Sequence, residues 1–410
     1  MTRMVLSREV RRGEHGLLRF IPLAVILLLC AATCWTQDPT APENDRQTAL
    51  ALEQQGRNTE AEIAWRAYLK VHPSSSEAYA HMGLLEARQE HYTNAIPFYR
   101  KALSLDSSIP GLRLNLGLAY FKAGEMKKAL QEFSPLLGSA PQSSPDRQRL
   151  AILVGMSHYS LGQFAQAAVY LKQAVSRDPQ NLELLMALAH SYLWSKQYQN
   201  VLDTYRVILQ LNPESAEADM LAGEASDELK DTPGAIVQFR AAVKADPKLP
   251  DVHFGLGYLL WGQRKYTEAA PELQAELDND PRHAQALTYL GDVEIHLDRS
   301  DAAVPLLEKA ISIDPKIELA HLDIGIIDAT NGHIEDALRE MKLAEKIAPD
   351  DVNVHWRLGR LYRSMGNRQA AAAELEKART LTQAADTKLL DKMNPGLQKP
   401  ETPAVQPAGK

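Results

Sequence analysis

Apolar residues recur three and four positions apart along most of the chain, the spacing that gathers them on one face of an α-helix. Leu184, Leu185, Leu188 and Tyr192 are one such set. Polar turns interrupt the pattern at regular places, as at Gly124-Glu125, Gly162-Gln163, Gly332-His333 and Gly366-Asn367. Glycine at such points lets the chain leave a helix and reverse. The pattern therefore predicts helices in pairs, each pair closed by a tight turn.

The pairs repeat with a fixed period. Proline stands at 73, 141, 179, 213, 247, 281, 315 and 349, and from 179 onward every step is 34 residues. Ser107 holds the place between 73 and 141, and the step from 141 to 179 is longer by four. Glycine keeps the same register at 83, 117, 155, 223, 257, 291, 325 and 359, with Ala49 and Ala189 in the two remaining places. Alanine follows twelve residues later in every unit except at Val201. Four residues beyond it comes a large apolar or aromatic side chain: Trp65, Tyr99, Phe133, Leu171, Tyr205, Phe239, Leu273, Leu307, Met341 and Leu375. Small residues mark where two antiparallel helices cross at about 8–10 Å, and the large residue fills the space beside them. One pair cannot bury its own apolar face, so pairs must stack.

These residues resemble the tetratricopeptide repeat family over 42–385, with units beginning at 42, 76, 110, 148, 182, 216, 250, 284, 318 and 352. The resemblance implies an all-α fold, a right-handed α-solenoid of about ten stacked helix-turn-helix units. Three units fill 42–143 and seven fill 148–385. The insertion at 144–147, around Ser144-Pro145, is expected as a loop, either a hinge or a longer surface connection. A polar capping helix is expected at 386–394, with Leu389, Leu390 and Met393 turned inward, and a disordered Pro-rich tail from Pro395 to Lys410.

Composition changes the picture mainly at the N-terminus. Lys and Arg number 45 against 52 Asp and Glu, so the chain is not the strongly basic kind that binds nucleic acid. Its only cysteines are Cys30 and Cys34, which leaves the repeats without a disulfide framework or a cysteine zinc site. Five arginines in residues 1–19 precede an uncharged apolar run from Phe20 to Trp35. That order predicts a secretory signal over 1–34, cleaved near Cys34, or else an uncleaved signal anchor at 20–35. The expected location is exported, periplasmic or secreted, with anchoring in an inner membrane as the alternative.

Catalytic and cofactor motifs are missing from the sequence. There is no Gly-rich phosphate loop ending in Lys-Ser/Thr and no His-Glu-x-x-His, and Gly255-Leu256-Gly257 is too short for a dinucleotide fingerprint. His321 and His355 share one place in adjacent units, either as a paired metal site or as two helix-surface histidines. No cofactor, metal or enzymatic activity is expected.

The remaining chemistry is that of a surface. Positions four, eight and eleven after each unit's start share a face of the first helix, and the resemblance implies that this face lines a concave groove for peptides. It carries Leu114, Leu118 and Phe121 in unit 3, Ile152, Met156 and Tyr159 in unit 4, and Met186, His190 and Leu193 in unit 5, with Trp194 adjacent. Unit 7 adds Phe254, Tyr258 and Trp261, unit 6 interrupts the face with Glu224 and Asp227 beside Met220, and unit 10 ends it with Trp356, Arg360 and Arg363. Aromatic and methionine side chains are typical anchors of protein interfaces. Some members of the family grip a C-terminal carboxylate, but of the matching places here only Asn115 and Arg149 fit, beside Ala80, Leu84 and Leu153. An apolar partner segment with Arg149 at its edge is expected instead. The alternatives are self-association through Trp65 or Trp356 at the ends of the array, and an accessory role in an envelope assembly, secretion or polysaccharide-export complex.

Overall fold

The computed structural model describes residues 43–141 and 144–393. The expected export segment and the Pro-rich tail lie outside these residues. Among the described residues the chain is all-α, with twenty helices and no strand. They follow one another as ten hairpins: α1 (Glu43–Gln54) and α2 (Asn58–Val71), α3 (Ser76–Arg88) and α4 (Tyr92–Leu105), α5 (Leu112–Lys122) and α6 (Met126–Ser139), α7 (Pro145–Ser160) and α8 (Phe164–Val175), α9 (Leu182–Trp194) and α10 (Tyr198–Leu211), α11 (Ala216–Glu228) and α12 (Thr232–Ala245), α13 (Val252–Gly262) and α14 (Tyr266–Asn279), α15 (Ala284–His296) and α16 (Ser300–Ile313), α17 (Glu318–Asn331) and α18 (Ile334–Ile347), α19 (Val352–Ser364) and α20 (Arg368–Met393). They form two compact units, divided between Pro179 and Gln180. The first holds four hairpins and the second six. Within the second, α9 touches α11, and α13, α15, α17 and α19 follow one another in a row, each touching the next.

Wherever glycine holds the small place, the hairpin closes on the small-to-large contact expected from the sequence. A Cβ added to Gly83 would lie 2.6 Å from Tyr99, and one added to Gly117 2.5 Å from Phe133. Gly223 meets Phe239, Gly291 meets Leu307 and Gly359 meets Leu375 in the same way, always sixteen residues on. Real side chains do not fit at such distances, so the glycine is what lets the helices approach. In the first hairpin Ala49 replaces glycine, and it is fully buried with Trp65.

The turn inside every hairpin carries one residue with positive φ. Glycine fills it at 56, 124, 162, 332 and 366, and Glu90, Lys196, Lys230, Arg264 and Asp298 fill it elsewhere. A side chain in this left-handed region costs about 1–2 kcal/mol. Lys230→Gly is therefore expected to stabilise the chain by about 0.5–1 kcal/mol after glycine's greater chain entropy is counted. Thermal melting of the full chain checks this.

Two sequence expectations are corrected. The insertion at 144–147 is not a loop: Ser144 caps α7 by accepting from the Arg147 N–H at 3.1 Å, and Pro145 occupies the first helical turn, where proline is tolerated. Arg147 also donates to the Leu137 and Ala140 carbonyls at 2.9 and 3.0 Å. These bonds tie the insertion to the end of α6, and the division of the chain into compact units falls one hairpin later. At the other end, residues 386–393 continue α20 and form no separate helix. The side chains of Leu389, Leu390 and Met393 lie outside the described ones.

Candidate functional site

The expected groove residues separate into three kinds. Leu114, Leu118, Ile152 and Tyr159 in the first unit are half-buried, as are Met186, Trp194, Tyr258 and Trp261 in the second. Arg149 is exposed, with Asp146 3.7 Å away. Phe121, Met156, His190 and Phe254 are buried, which corrects their assignment to an open face. Phe121 folds onto Phe133, 6.5 Å between ring centroids, and Phe254 lies under His283 and Tyr289. His190 places Nε2 2.7 Å from a Glu217 oxygen. Met156 is covered to 8% exposure.

His321 and His355 are neither a paired site nor surface residues, at 5% and 0% exposure. Each faces a glutamate nineteen residues on: His321 Nδ1 is 2.8 Å from Glu340, and His355 Nδ1 is 2.7 Å from Glu374. His253 and Glu272 repeat the arrangement at 2.6 Å, and Arg113 with Glu132 at 2.9 Å. These pairs brace the two helices of one hairpin. Two trios bring ligand-type atoms together, Asp251–Glu276–His283 and Glu345–His355–Glu374. In the first, Glu276 accepts the Asp251 and Phe254 backbone N–H groups, while His283 Nδ1 accepts from Ala286 N and Nε2 lies 3.0 Å from Asp251. In the second, Lys342 and His355 already hold Glu374. Both trios thus already take part in helix capping and bracing.

A contiguous set of aromatic and acidic groups lies along α11, α13, α15 and α17. Tyr258, Trp261 and Tyr289 form one cluster, with ring centroids 5.8 Å apart for Tyr258–Trp261, 5.1 Å for Tyr258–Tyr289 and 4.7 Å for Trp261–Tyr289. The last two are edge-on, the arrangement favoured by ring quadrupoles. Trp261 Nε1 donates to Asp292 Oδ2, which also has His296 Nδ1 at 3.3 Å. Burial pushes the Asp292 carboxyl up from its ordinary range, against the pull of Trp261, His296 and Arg357. Asp323 is raised well above that range, first by burial and then by the charges of Asp292 and Glu318, with Arg357 opposing. Its side chain is 3% exposed, and Oδ2 has no hydrogen-bond partner. Burial also raises Asp227 and Tyr258, and Asp227 adds to the shift of Tyr258. At the end of the row, Arg357 and Arg360 lie over the Trp356 ring, 5.3 and 4.8 Å from its centroid.

The sequence reading missed Tyr289, Asp292, Asp323 and Arg357. Asp292 holds the same place in its unit as Tyr258, so the positional rule would have found it had it been carried into the eighth unit. The other three share the place five after their unit's start, which the chosen face leaves out. Trp65 is 0% exposed and cannot mediate end contacts, whereas Trp356 is 42% exposed.

Tetratricopeptide repeat profiles match residues 46–110 and 254–316, 86–151 and 158–225, and 352–383. Anaphase-promoting complex subunit 3 of Schizosaccharomyces pombe is 21% identical over 279 residues, 66% of this chain and 41% of that protein. BBSome complex member BBS4 of Bos taurus is 23% identical over 284 residues, 69% of this chain and 54% of that protein. The chain thus spans about half the length of these curated relatives. Among solved structures, a tetratricopeptide repeat protein from Parabacteroides merdae is 18% identical with a TM-score of 0.46, covering 61% of this chain and 97% of that one. YrrB, described as a TPR protein with an unusual peptide-binding site, is 20% identical with a TM-score of 0.36, covering 46% of this chain and 97% of that one. With the helix hairpins and their repeating small-to-large contacts, the profile matches establish that the chain belongs to the tetratricopeptide repeat family.

Proposed function

We propose that the chain is a non-enzymatic interaction scaffold that holds an extended segment of a protein partner against the odd-numbered helices of its second unit. The observation that carries this reading is the half-buried cluster of Tyr258, Trp261 and Tyr289. Three adjoining rings supply large, rigid contact area at little conformational cost, the usual character of a binding hot spot. The helices beneath are fixed by hairpin packing, so little ordering is needed on binding. Relatives named as subunits of multiprotein complexes support the same reading. Export to the periplasm or beyond, or anchoring in an inner membrane, is the location the N-terminal sequence favours.

The test is capture from cell-envelope extract by the full chain and by a Tyr258→Ala/Trp261→Ala variant of equal helicity. A protein captured by the first and lost by the second is the expected result. Capture of the same set by both would refute the reading.

A further inference from the structure

Helix α19 and the turn after it carry charge of one sign. Arg357, Arg360, Arg363 and Arg368 stand between Asp351 and Glu374 with no acidic residue among them, in a chain whose net charge is −7. Arg57, Arg206, Arg339 and Arg379 are also exposed, and each has a carboxylate three places away: Glu60, Asp203, Asp336 and Glu376. The places three before and three after Arg360 hold Arg357 and Arg363 instead. Like charges one turn apart on a helix repel. Arg357 is lowered first by burial and then by the charge of Arg360, with Asp323 and Asp292 opposing. It is half-buried and answers those two aspartates. Arg360 and Arg363 are exposed, and among the described residues neither has an ion-pair partner. Glu374, the next acid along the chain, is held by His355 and Lys342.

The same helix face presents an open aromatic ring. Trp356 is 42% exposed, and the Arg360 guanidinium lies over it, 4.8 Å from the centroid. Leu322 and Phe254 hold the corresponding place in α17 and α13, at 1% and 2% exposure. The hairpin that follows covers each of them: Leu322 shares a core with Val354 and Leu358 of α19, and Phe254 lies against Tyr289 of α15. Among the described residues no hairpin follows α20, and Trp356 stays open. A guanidinium stacked on a ring keeps its N–H edge available to an acceptor. From Trp356 through Arg360 to Arg363 the face runs about 10 Å, a span that three or four extended residues cover.

An anion answers these features. A nucleic acid or a charged membrane would also meet the acidic remainder of the chain, which repels it. A short acidic stretch meets the arginines alone. Its carboxylates suit their forked donors, and an apolar neighbour suits the ring.

We propose that Trp356, Arg360 and Arg363 bind an acidic stretch of the partner segment, two or more Asp or Glu side chains beside one apolar residue. The inference rests on the scaffold reading above and extends it along the row, which starts with Tyr258 and Trp261 on α13 and ends on α19. Both arginines are exposed, so association weakens as salt rises.

The experiment selects a display library of random twelve-residue peptides on the full-length chain. The strongest acidic peptide is then synthesised with an amidated C-terminus, which leaves only side-chain carboxylates. A second probe carries Asn and Gln in their place. Enrichment of acidic residues beside an apolar one is expected, and the neutral probe should bind about tenfold weaker. Arg360→Gln/Arg363→Gln should bring the acidic probe down to the affinity of the neutral one, with helicity and melting unchanged. Selection without acidic residues, equal binding of both probes, or unchanged binding by the arginine variant would each overturn the proposal. A single-stranded oligodeoxynucleotide and phosphatidylglycerol vesicles are titrated alongside. Tighter binding of either than of the acidic probe, lost in the same variant, would overturn it too. Tyr258→Ala/Trp261→Ala separates the two readings. Peptides lost with this pair but kept by the arginine variant would leave the scaffold face standing without the acidic anchor. Peptides kept by both variants would remove the face as well.

Discussion

Phe239→Ala is expected to cost about 3–5 kcal/mol, the ordinary price of deleting a fully buried phenylalanine. Phe239 is 1% exposed, and its ring is the neighbour of two glycines, Gly223 in its own hairpin and Gly255 in the next. Removing the ring opens a cavity at both contacts at once. The backbone cannot collapse into it without shifting α11 and α13 together. Repeat arrays carry their stability in nearest-neighbour contacts, so the loss should be local. Hydrogen exchange should accelerate most in α11 to α14 and least in α1 to α4, and denaturant unfolding gives the total. Phe239→Leu, which keeps most of the volume, should lose much less. Uniform acceleration along the chain would contradict the local account.

Trp65→Ala should cost a similar amount, about 3–5 kcal/mol, at the other end of the array. Trp65 holds the same place in the first hairpin that Phe239 holds in the sixth. It stacks on His81 at 4.7 Å and meets Tyr68 edge-on at 5.8 Å. Its Nε1 also donates to Glu53 at 2.5 Å. Alanine therefore leaves both a void and a buried carboxylate with one donor fewer. Trp65→Phe separates the two: it restores much of the volume but not the donor, and should cost about 1–3 kcal/mol. Among the described residues the first hairpin has a neighbour on one side only, and α1 and α2 are expected to fray before the rest unfolds. Circular dichroism on melting, with hydrogen exchange in α1 and α2, reads both effects.

The hairpins were legible in the sequence because each depends on two residues sixteen apart in one short stretch of chain. A small residue and a large one at fixed spacing state the contact directly. Exposure is decided by a different hairpin, and here the periodic reading failed in both directions. Phe254 repeats in register with Leu114 and Met186, yet it is covered by His283 and Tyr289, which arrive from the hairpin that follows. His321 and His355 looked alike and adjacent, but each is engaged by a glutamate of its own hairpin. Asp323 carried no signal at all. An aspartate on a helix reads as a solvated side chain, and only the packing of α15 and α19 beside α17 makes it a buried and unpaired one.

The extra turn at the start of α7 bears on what the repeat measures. Gly155 and Leu171 keep their sixteen-residue spacing even though four residues have entered just upstream. The insertion spends itself in lengthening a helix outward, before the first crossing point of its hairpin. The thirty-four-residue period is thus a habit of the array, and the sixteen-residue interval is its ruler. A length change between hairpins is absorbed locally and the next hairpin starts in phase. The same change between the small residue and the large one would rotate a helix face by about 100° per residue and lose the contact. Insertions and deletions have room on one side of that interval and none within it.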